Sequence, residues 1–139
     1  MTQDAKIHHH VPDAAPPPPS SRWSHAVEAA GWLYVTGQLP TDPDRPEAAL
    51  PPGIAEQAEL CFANLARILA HAGYGFGDTV FVRIYLKEFA RDFRAFNAVY
   101  ARYFPDDGPL PSRTTVGVAA LGRDALAEVD LVCFRQSGG

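Results

Sequence analysis

The sequence predicts a single α+β domain with the element order β-β-α-β-α-β-β. The chain has 139 residues, of which 47% are hydrophobic, enough for one domain with a buried core. Two segments repeat apolar residues at helical spacing, and the segments around them alternate as strands do. Two helices can cover only one face of the resulting sheet, so we expect both on the same face.

Composition and charge argue against several classes of protein. The formal net charge is -4 and no basic run occurs, which argues against nucleic acid or an anionic membrane as partner. No apolar stretch approaches the roughly 20 residues that span a bilayer. The first residues lack the basic start and apolar core of a signal peptide, so we expect a cytoplasmic protein. Cys61 and Cys133 are expected to be buried, reduced thiols.

Residues 1–21 differ in composition from the rest of the chain. The run "VPDAAPPPPSS" is rich in proline and nearly without large apolar side chains, which predicts a flexible arm with polyproline II character. We expect the folded domain over 22–136 and a flexible tail over 137–139. Three adjacent histidines, His8 to His10, lack the fixed geometry of a metal site, so a plain tail or tag remnant is predicted there, with no metal.

A β-hairpin and a long helix follow the arm. "WSHAVEA" and "WLYVTG", separated by an Ala-Gly turn, predict the hairpin. The next run, "QLPTDPDRPEAALPP", contains five prolines and is predicted to be a loop. A helix is expected over 53–72, because Pro52 suits its first turn and Gly73 suits the left-handed cap after its last. Its apolar stripe consists of Ile54, Ala58, Cys61, Leu65, Ile68 and Ala72.

A strand over 79–86 and a second helix over about 90–104 come next. The strand places Val80, Val82, Ile84 and Leu86 on one face and Phe81, Arg83 and Tyr85 on the other. The helix ends at Pro105 and has an apolar stripe of Phe93, Phe96, Tyr100 and Phe104. Asn97 points inward with this stripe, and a buried amide needs hydrogen-bond partners. It either ties down a loop or lies near a ligand.

The closing segment, residues 111–134, carries a cation and an anion in an apolar run. Arg113 follows a Pro-Ser turn at the start of one strand, and Glu128 stands near the start of the next, "AEVDLVCF". We expect these two strands to form an antiparallel hairpin. By themselves the two charges are typical of solvated strand ends, or of a cross-strand ion pair that stabilises a hairpin modestly.

The uncovered face of the predicted sheet indicates an oligomer. Phe81 and Tyr85 point away from the helices, and Trp32 and Tyr34 add to the apolar surface. A monomer would leave a large apolar patch in water, which is typical of an interface.

The chain resembles the RidA family, also called YjgF, of reactive-intermediate deaminases. The matching stretches are "GWLYVTGQLP", "GIAEQAELCFANLARILAHAGYGFGDTV", "YLKEFARDFRAFNAVYARYF" and "PSRTTVGVAALGRDALAEVD". They occur in the family's order and cover about residues 22–135. The resemblance implies a chorismate-mutase-like fold and a homotrimer with active sites between subunits. It also implies hydrolysis of enamines and imines, such as 2-aminoacrylate, to keto acid and ammonia, without cofactor or metal.

The resemblance assigns roles to individual residues. Arg113 matches the arginine that binds the substrate carboxylate, for which a guanidinium offers two parallel hydrogen bonds. Glu128 matches the glutamate that orients the attacking water. Thr36 and Asn97 match positions in the substrate pocket. Thr115 is a further pocket position, where many members carry cysteine.

Two departures from the family pattern leave the substrate and the activity open. Trp23, a further candidate for substrate binding, stands where many deaminases carry tyrosine, and an indole N–H can only donate. In this the chain is closer to members such as 2-aminomuconate deaminase, which take a bulkier substrate. The Pro-rich loop over 38–52 is longer than the compact family loop. The chain could also be a non-catalytic module that binds small molecules or regulates proteins, or a binder of a stable 2-keto acid.

Overall fold

Within the described residues, six strands and two helices form the predicted α+β architecture, with one N-terminal strand more than the five that the sequence predicts. The computed structural model describes residues 5–136. Its strands are β1 (Ile7–His9), β2 (Ala26–Ala29), β3 (Trp32–Gln38), β4 (Thr79–Leu86), β5 (Ser112–Gly117) and β6 (Ala127–Phe134). Its helices are α1 (Ile54–Ala72) and α2 (Phe89–Tyr103). Neither helix is long and apolar enough to cross a membrane.

All six strands belong to one sheet with the order β1-β2-β3-β6-β4-β5. Neighbouring strands are antiparallel except β4 and β5, which α2 connects in parallel. Both helices cover the same face, as predicted, and the core lies between them and the sheet. The largest fully buried apolar side chains there are Phe62, Phe96, Leu33, Leu65, Ile68, Leu69, Ile84, Leu86 and Leu131.

Helix α1 lies within one residue of the predicted range. It begins at Ile54, after two prolines that cannot continue a preceding strand, and ends at Ala72. Gly73 adopts a φ of 85°, the left-handed conformation that glycine accepts without steric cost. Cys61 on this helix and Cys133 on β6 are buried free thiols, as expected.

Two predicted core residues face outward instead. A register shift between β4 and β6, located between Thr79 and Phe81, turns Val80 away from the core and leaves it 41% exposed. Phe93 is 38% exposed on α2, where it stacks on Phe89 with ring centroids 4.9 Å apart. The spacing of apolar residues within β4 cannot predict this bulge, because the bulge arises from the pairing of β4 with β6.

The closing hairpin predicted over 111–134 is wrong. β5 and β6 do not pair, because β4 lies between them and bonds to both. β6 is apolar and almost wholly buried, which suits a central strand. β5 is polar and largely exposed, which suits a sheet edge. A short 3₁₀ turn, Gly122–Asp124, lies between the two strands in the sequence.

The predicted flexible arm over 1–21 is also wrong for its described part, residues 5–21. β1 pairs antiparallel with β2, and Val11, Ala14 and Ala15 are buried. The buried ring of His25 bridges this segment: its Nδ1 accepts from the Val11 amide at 2.9 Å, and its Nε2 donates to the Ala15 carbonyl at 2.8 Å. Small apolar residues and backbone hydrogen bonds therefore hold a segment that lacks large side chains. Residues 1–4 and the predicted tail over 137–139 lie outside the described residues.

The histidine run takes part in this packing. His8 and His9 belong to β1, and His9 Nε2 lies 3.0 Å from Glu28 Oε1 on β2. The plain-tail interpretation is therefore wrong for these two residues. Within residues 5–136, no group of three or more His, Cys, Asp or Glu side chains is placed to hold a metal ion.

An interior amide does tie loops to a helix, but it is Asn64 of α1 and not Asn97. Asn64 is fully buried. Its Oδ1 accepts from the Ala15 amide at 2.8 Å, and its Nδ2 donates to the Thr41 carbonyl at 2.7 Å. One side chain thus fastens both the N-terminal segment and the Pro-rich loop to the core.

Replacing Asn64 with alanine is expected to lower the free energy of unfolding by about 2 kcal/mol, because two buried backbone groups lose their partners. Urea unfolding followed by circular dichroism measures the change. Asn97→Ala is the matched control, since Asn97 bonds to the Arg113 side chain and fastens no loop. Equal stability of the two variants would contradict the fastening role of Asn64.

Candidate functional site

Arg113 lies on the edge strand β5, with its guanidinium held against α2. Its Nε donates to Thr115 Oγ1 at 2.9 Å, and its Nη2 donates to Asn97 Oδ1. The guanidinium carbon lies 4.4 Å from the centroid of the Tyr100 ring, a cation–π contact. Three predicted site residues thus come together, and two of them orient the third. Nη1 has no hydrogen-bond partner within residues 5–136.

The charge of Arg113 lacks a counter-ion in the described part of the chain. No Asp or Glu oxygen there lies within ion-pair distance of its guanidinium. Burial lowers the pKa of Arg113, an effect that Tyr100 partly opposes. An arginine stays protonated at neutral pH even so. A half-buried, oriented and uncompensated cation is suited to bind an anion such as a carboxylate.

Trp23, Thr36 and Glu128 form a second group, around a cavity of about 700 Å³. Thr36 Oγ1 donates to the Ser24 carbonyl at 2.7 Å, which joins the segment before β2 to β3. Trp23 packs edge-to-face on His25, with centroids 5.8 Å apart. Through Trp23, the second group therefore contacts His25, the histidine that also holds the N-terminal segment.

Glu128 enters this cavity over the backbone of Gly37. A Cβ on Gly37 would stand 2.0 Å from Glu128 Oε2, so any larger residue would displace the carboxylate. Burial, together with repulsion from Asp130, raises the pKa of Glu128 above its ordinary value. Gly37 belongs to the T-G-Q stretch that carries the resemblance, but it is not among the predicted site residues. The close approach of a side chain from another strand is visible only in the fold.

The two groups lie on opposite faces of the sheet. Arg113 pairs with Val82 of β4, whereas Glu128 pairs with Tyr85 of the same strand. Side chains three positions apart on a strand point to opposite faces. Arg113 is therefore on the face of the helices and Glu128 on the uncovered face. This geometry excludes an Arg113–Glu128 ion pair within the chain.

The fold and the site define a small α+β protein with one oriented cation, one half-buried carboxylate and a cavity beside the carboxylate. Residues 13–134 match the family model described as Endoribonuclease L-PSP. The chain belongs to this family, which is that of the RidA/YjgF proteins. The family predicted from the sequence is thereby confirmed, and so is its chorismate-mutase-like fold.

Curated relatives and a solved structure agree with this membership. A RutC family protein of Pyrococcus horikoshii is 34% identical over 120 residues, which are 86% of this chain and 92% of the relative. A protein of Dermatophagoides farinae named 2-iminobutanoate/2-iminopropanoate deaminase is 32% identical over 116 residues, 84% of this chain and 88% of that one. A crystal structure of a Rid family protein from Yersinia pestis superposes with a TM-score of 0.86 at 27% identity, covering 94% of this chain and all of the other.

Proposed function

We propose that this protein hydrolyses enamine and imine intermediates of amino acids to the keto acid and ammonia. The observation that carries the proposal is the oriented guanidinium of Arg113, half buried and without a carboxylate partner in the described chain. The family membership and the deaminase among the relatives support it. The net charge of -4 gives little attraction for RNA, so we propose a small-molecule substrate despite the description of the family model.

The proposed chemistry uses few groups. The enamine tautomerises to an imine, whose carbon is already electrophilic. Arg113 holds the substrate carboxylate through two hydrogen bonds, and Glu128 accepts a proton from the water that adds to that carbon. That proton passes to the imine nitrogen, which gives a carbinolamine. The carbinolamine hydroxyl then gives up its proton, the nitrogen gains a proton, the C–N bond breaks, and ammonia leaves as the carbonyl forms. Thr36 and Trp23 line the substrate cavity, while Asn97 and Thr115 position Arg113. No cofactor or metal enters this scheme.

The scheme requires two copies of the chain at each site. Arg113 and Glu128 lie on opposite faces of the sheet, so both reach one substrate only if a neighbouring copy supplies one of them. The uncovered face offers the surface for this, since it exposes 38% of Trp32, 56% of Tyr34 and 40% of Val116. We propose a homotrimer with its sites between subunits.

Light scattering coupled to size exclusion is expected to give about three times the 15.1 kDa chain mass. Tyr34→Asp should lower this mass, because it places a charge in the centre of the proposed interface. Ala70→Glu is the matched control, since it adds a charge to an exposed position on α1. A stable monomer at micromolar concentration would contradict both the assembly and the shared site.

The direct test follows the decay of imino acids released by an amino-acid oxidase. Decay is expected to be faster with the protein than without it. Trp23 favours one rival, a module that binds stable 2-keto acids without turnover, because an indole in the cavity offers no hydroxyl to a reacting group. Unchanged decay of every imino acid, together with saturable binding of a 2-keto acid, would replace the deaminase by this rival.

A further inference from the structure

We propose that the N-terminal segment makes this site selective for imines with a sizeable apolar side chain. The inference rests on the proposed function and adds its substrate class. One wall of the 700 Å³ cavity is the run Pro16–Pro19, preceded by Ala15. Trp23, Leu39 and Pro46 also line it. The proline run that was predicted to be a flexible arm is therefore part of the site.

The residues of this wall favour an apolar substrate side chain over a charged one. A proline has no N–H, so four consecutive prolines present ring methylenes and carbonyl oxygens but no donor for a carboxylate. Glu47 and Glu128 also line the cavity, and their carboxylates disfavour a second anion there. A substrate would then direct its carboxylate to Arg113 and its side chain to the prolines.

Among the residues that line the cavity, Arg123 is the one arginine. Its guanidinium is hydrogen-bonded to the Pro-rich loop. Its nitrogens donate to Thr41 Oγ1 at 3.0 Å and to the Ala48 carbonyl at 2.8 Å. These bonds fix the loop at the cavity rim. They leave Arg123 less suited than Arg113 to bind an acidic group of the substrate.

The wall is held before any substrate arrives. Asn64 binds the Ala15 amide at 2.8 Å, and Arg67 donates to the Asp13 carbonyl at 2.8 Å. His25 binds the Ala15 carbonyl, and each proline ring fixes its own φ. Little conformational freedom remains to be lost on binding, so contact with the wall contributes directly to affinity.

The size of the cavity points the same way. A cavity of 700 Å³ lies in the range that binds a drug-sized ligand. The side chain of 2-aminoacrylate is a single methylene group and would leave most of this apolar space to water. A benzyl or isobutyl group would cover the prolines and displace that water.

The test compares imino acids released by amino-acid oxidase from phenylalanine, leucine, alanine and glutamate. We expect kcat/KM at least about tenfold higher for the phenylalanine and leucine imines than for the alanine imine, since one methylene group more in an apolar pocket is worth about that factor. The glutamate imine should be the poorest. Equal rates for all four, or preference for the alanine or glutamate imine, would overturn the inference while the deaminase function stood.

Variants assign the preference to the wall. Pro17→Ala combined with Pro18→Ala should lower kcat/KM for the phenylalanine imine about tenfold more than kcat/KM for the alanine imine. Pro12→Ala is the matched control, because Pro12 is an exposed proline of the same segment that does not line the cavity. Parallel losses on both imines would show that the wall does not select.

Equilibrium binding separates this inference from the proposed function. Tryptophan fluorescence can follow titration with phenylpyruvate and with pyruvate, since Trp23 lines the cavity. If no imine is hydrolysed but phenylpyruvate binds at least about tenfold more tightly, the deaminase proposal fails and the apolar preference stands. If no imine is hydrolysed and the two keto acids bind equally, both are wrong.

Discussion

Arg113→Lys is expected to lower kcat/KM for imine hydrolysis about ten- to a hundredfold. Lysine keeps the charge but loses the planar fork that holds a carboxylate with two hydrogen bonds. It also loses the geometry in which Asn97 and Thr115 hold the guanidinium. Removing a charge-assisted hydrogen bond of this kind costs about 1.5–3 kcal/mol, which corresponds to that decrease in rate. Steady-state kinetics on the best imine measure it.

Two controls separate binding from folding and from proton transfer. Arg113→Ala should cost at least as much as Arg113→Lys, with unchanged circular dichroism and oligomer mass. Glu128→Gln should instead lower kcat with a smaller effect on substrate capture, since water placement matters most as the tetrahedral centre forms. If Arg113→Ala hydrolyses imines as fast as the parent, the carboxylate clamp does not exist.

The raised pKa of Glu128 adds a signature in pH. If its carboxylate must be ionised to accept a proton, kcat falls as pH drops through the pKa, and that limb lies above the ordinary value of 4.5. The pKa is raised and not lowered because burial favours the neutral acid over the ionised carboxylate. Glu128→Gln should lack this limb at every pH where the protein is folded.

Deleting residues 1–15 is expected to lower the free energy of unfolding by at least about 3 kcal/mol. The deletion exposes the surface that Val11 covers, which is worth about 1.5–3 kcal/mol. It also removes both hydrogen-bond partners of the His25 ring, one partner of Asn64 and the strand that pairs with β2. The melting temperature should fall by about 10 °C or more.

Point variants test whether packing causes this loss. Val11→Ala should produce part of it, because Val11 is 2% exposed. Pro12→Ala should produce almost none, since its side chain is exposed. Thermal melting followed by circular dichroism compares all three proteins. A truncated chain as stable as the parent would restore the view of residues 5–15 as a dispensable arm.

Local pattern was sufficient to predict the bounds of the helices and of β4 to within one residue. Their apolar residues repeat over many positions, and Gly73 and Pro105 mark where the helices stop. The same pattern did not predict which strands β5 and β6 pair with, because contacts between residues distant in sequence decide strand pairing. Two strands close in sequence predict a hairpin by default, yet the exposed polar surface of β5 and the buried surface of β6 place β4 between them. The prediction for the N-terminal segment failed for another reason. Small buried side chains and hydrogen bonds to its backbone hold this segment, and neither produces a recognisable sequence pattern.

The sequence was enough to predict which residues form the site, but not where they lie relative to one another in the fold. Arg113, Asn97 and Thr115 meet in the chain, and Trp23, Thr36 and Glu128 line one cavity. Their division between two faces depends on the order of the strands, which the sequence did not reveal. The roles of Gly37 and of the proline wall likewise arise from approaches between distant segments.

The position of β6 has a consequence for synthesis. β6 is made after the other five strands of the described residues, yet it lies in the middle of the sheet, between β3 and β4. A nascent chain that ends before residue 127 therefore has two separate groups of strands with open edges and no strand to join them. Such edges invite pairing with other chains. We expect the sheet to form only after β6 is made, and the protein to depend on a chaperone more than a chain whose central strand is made early.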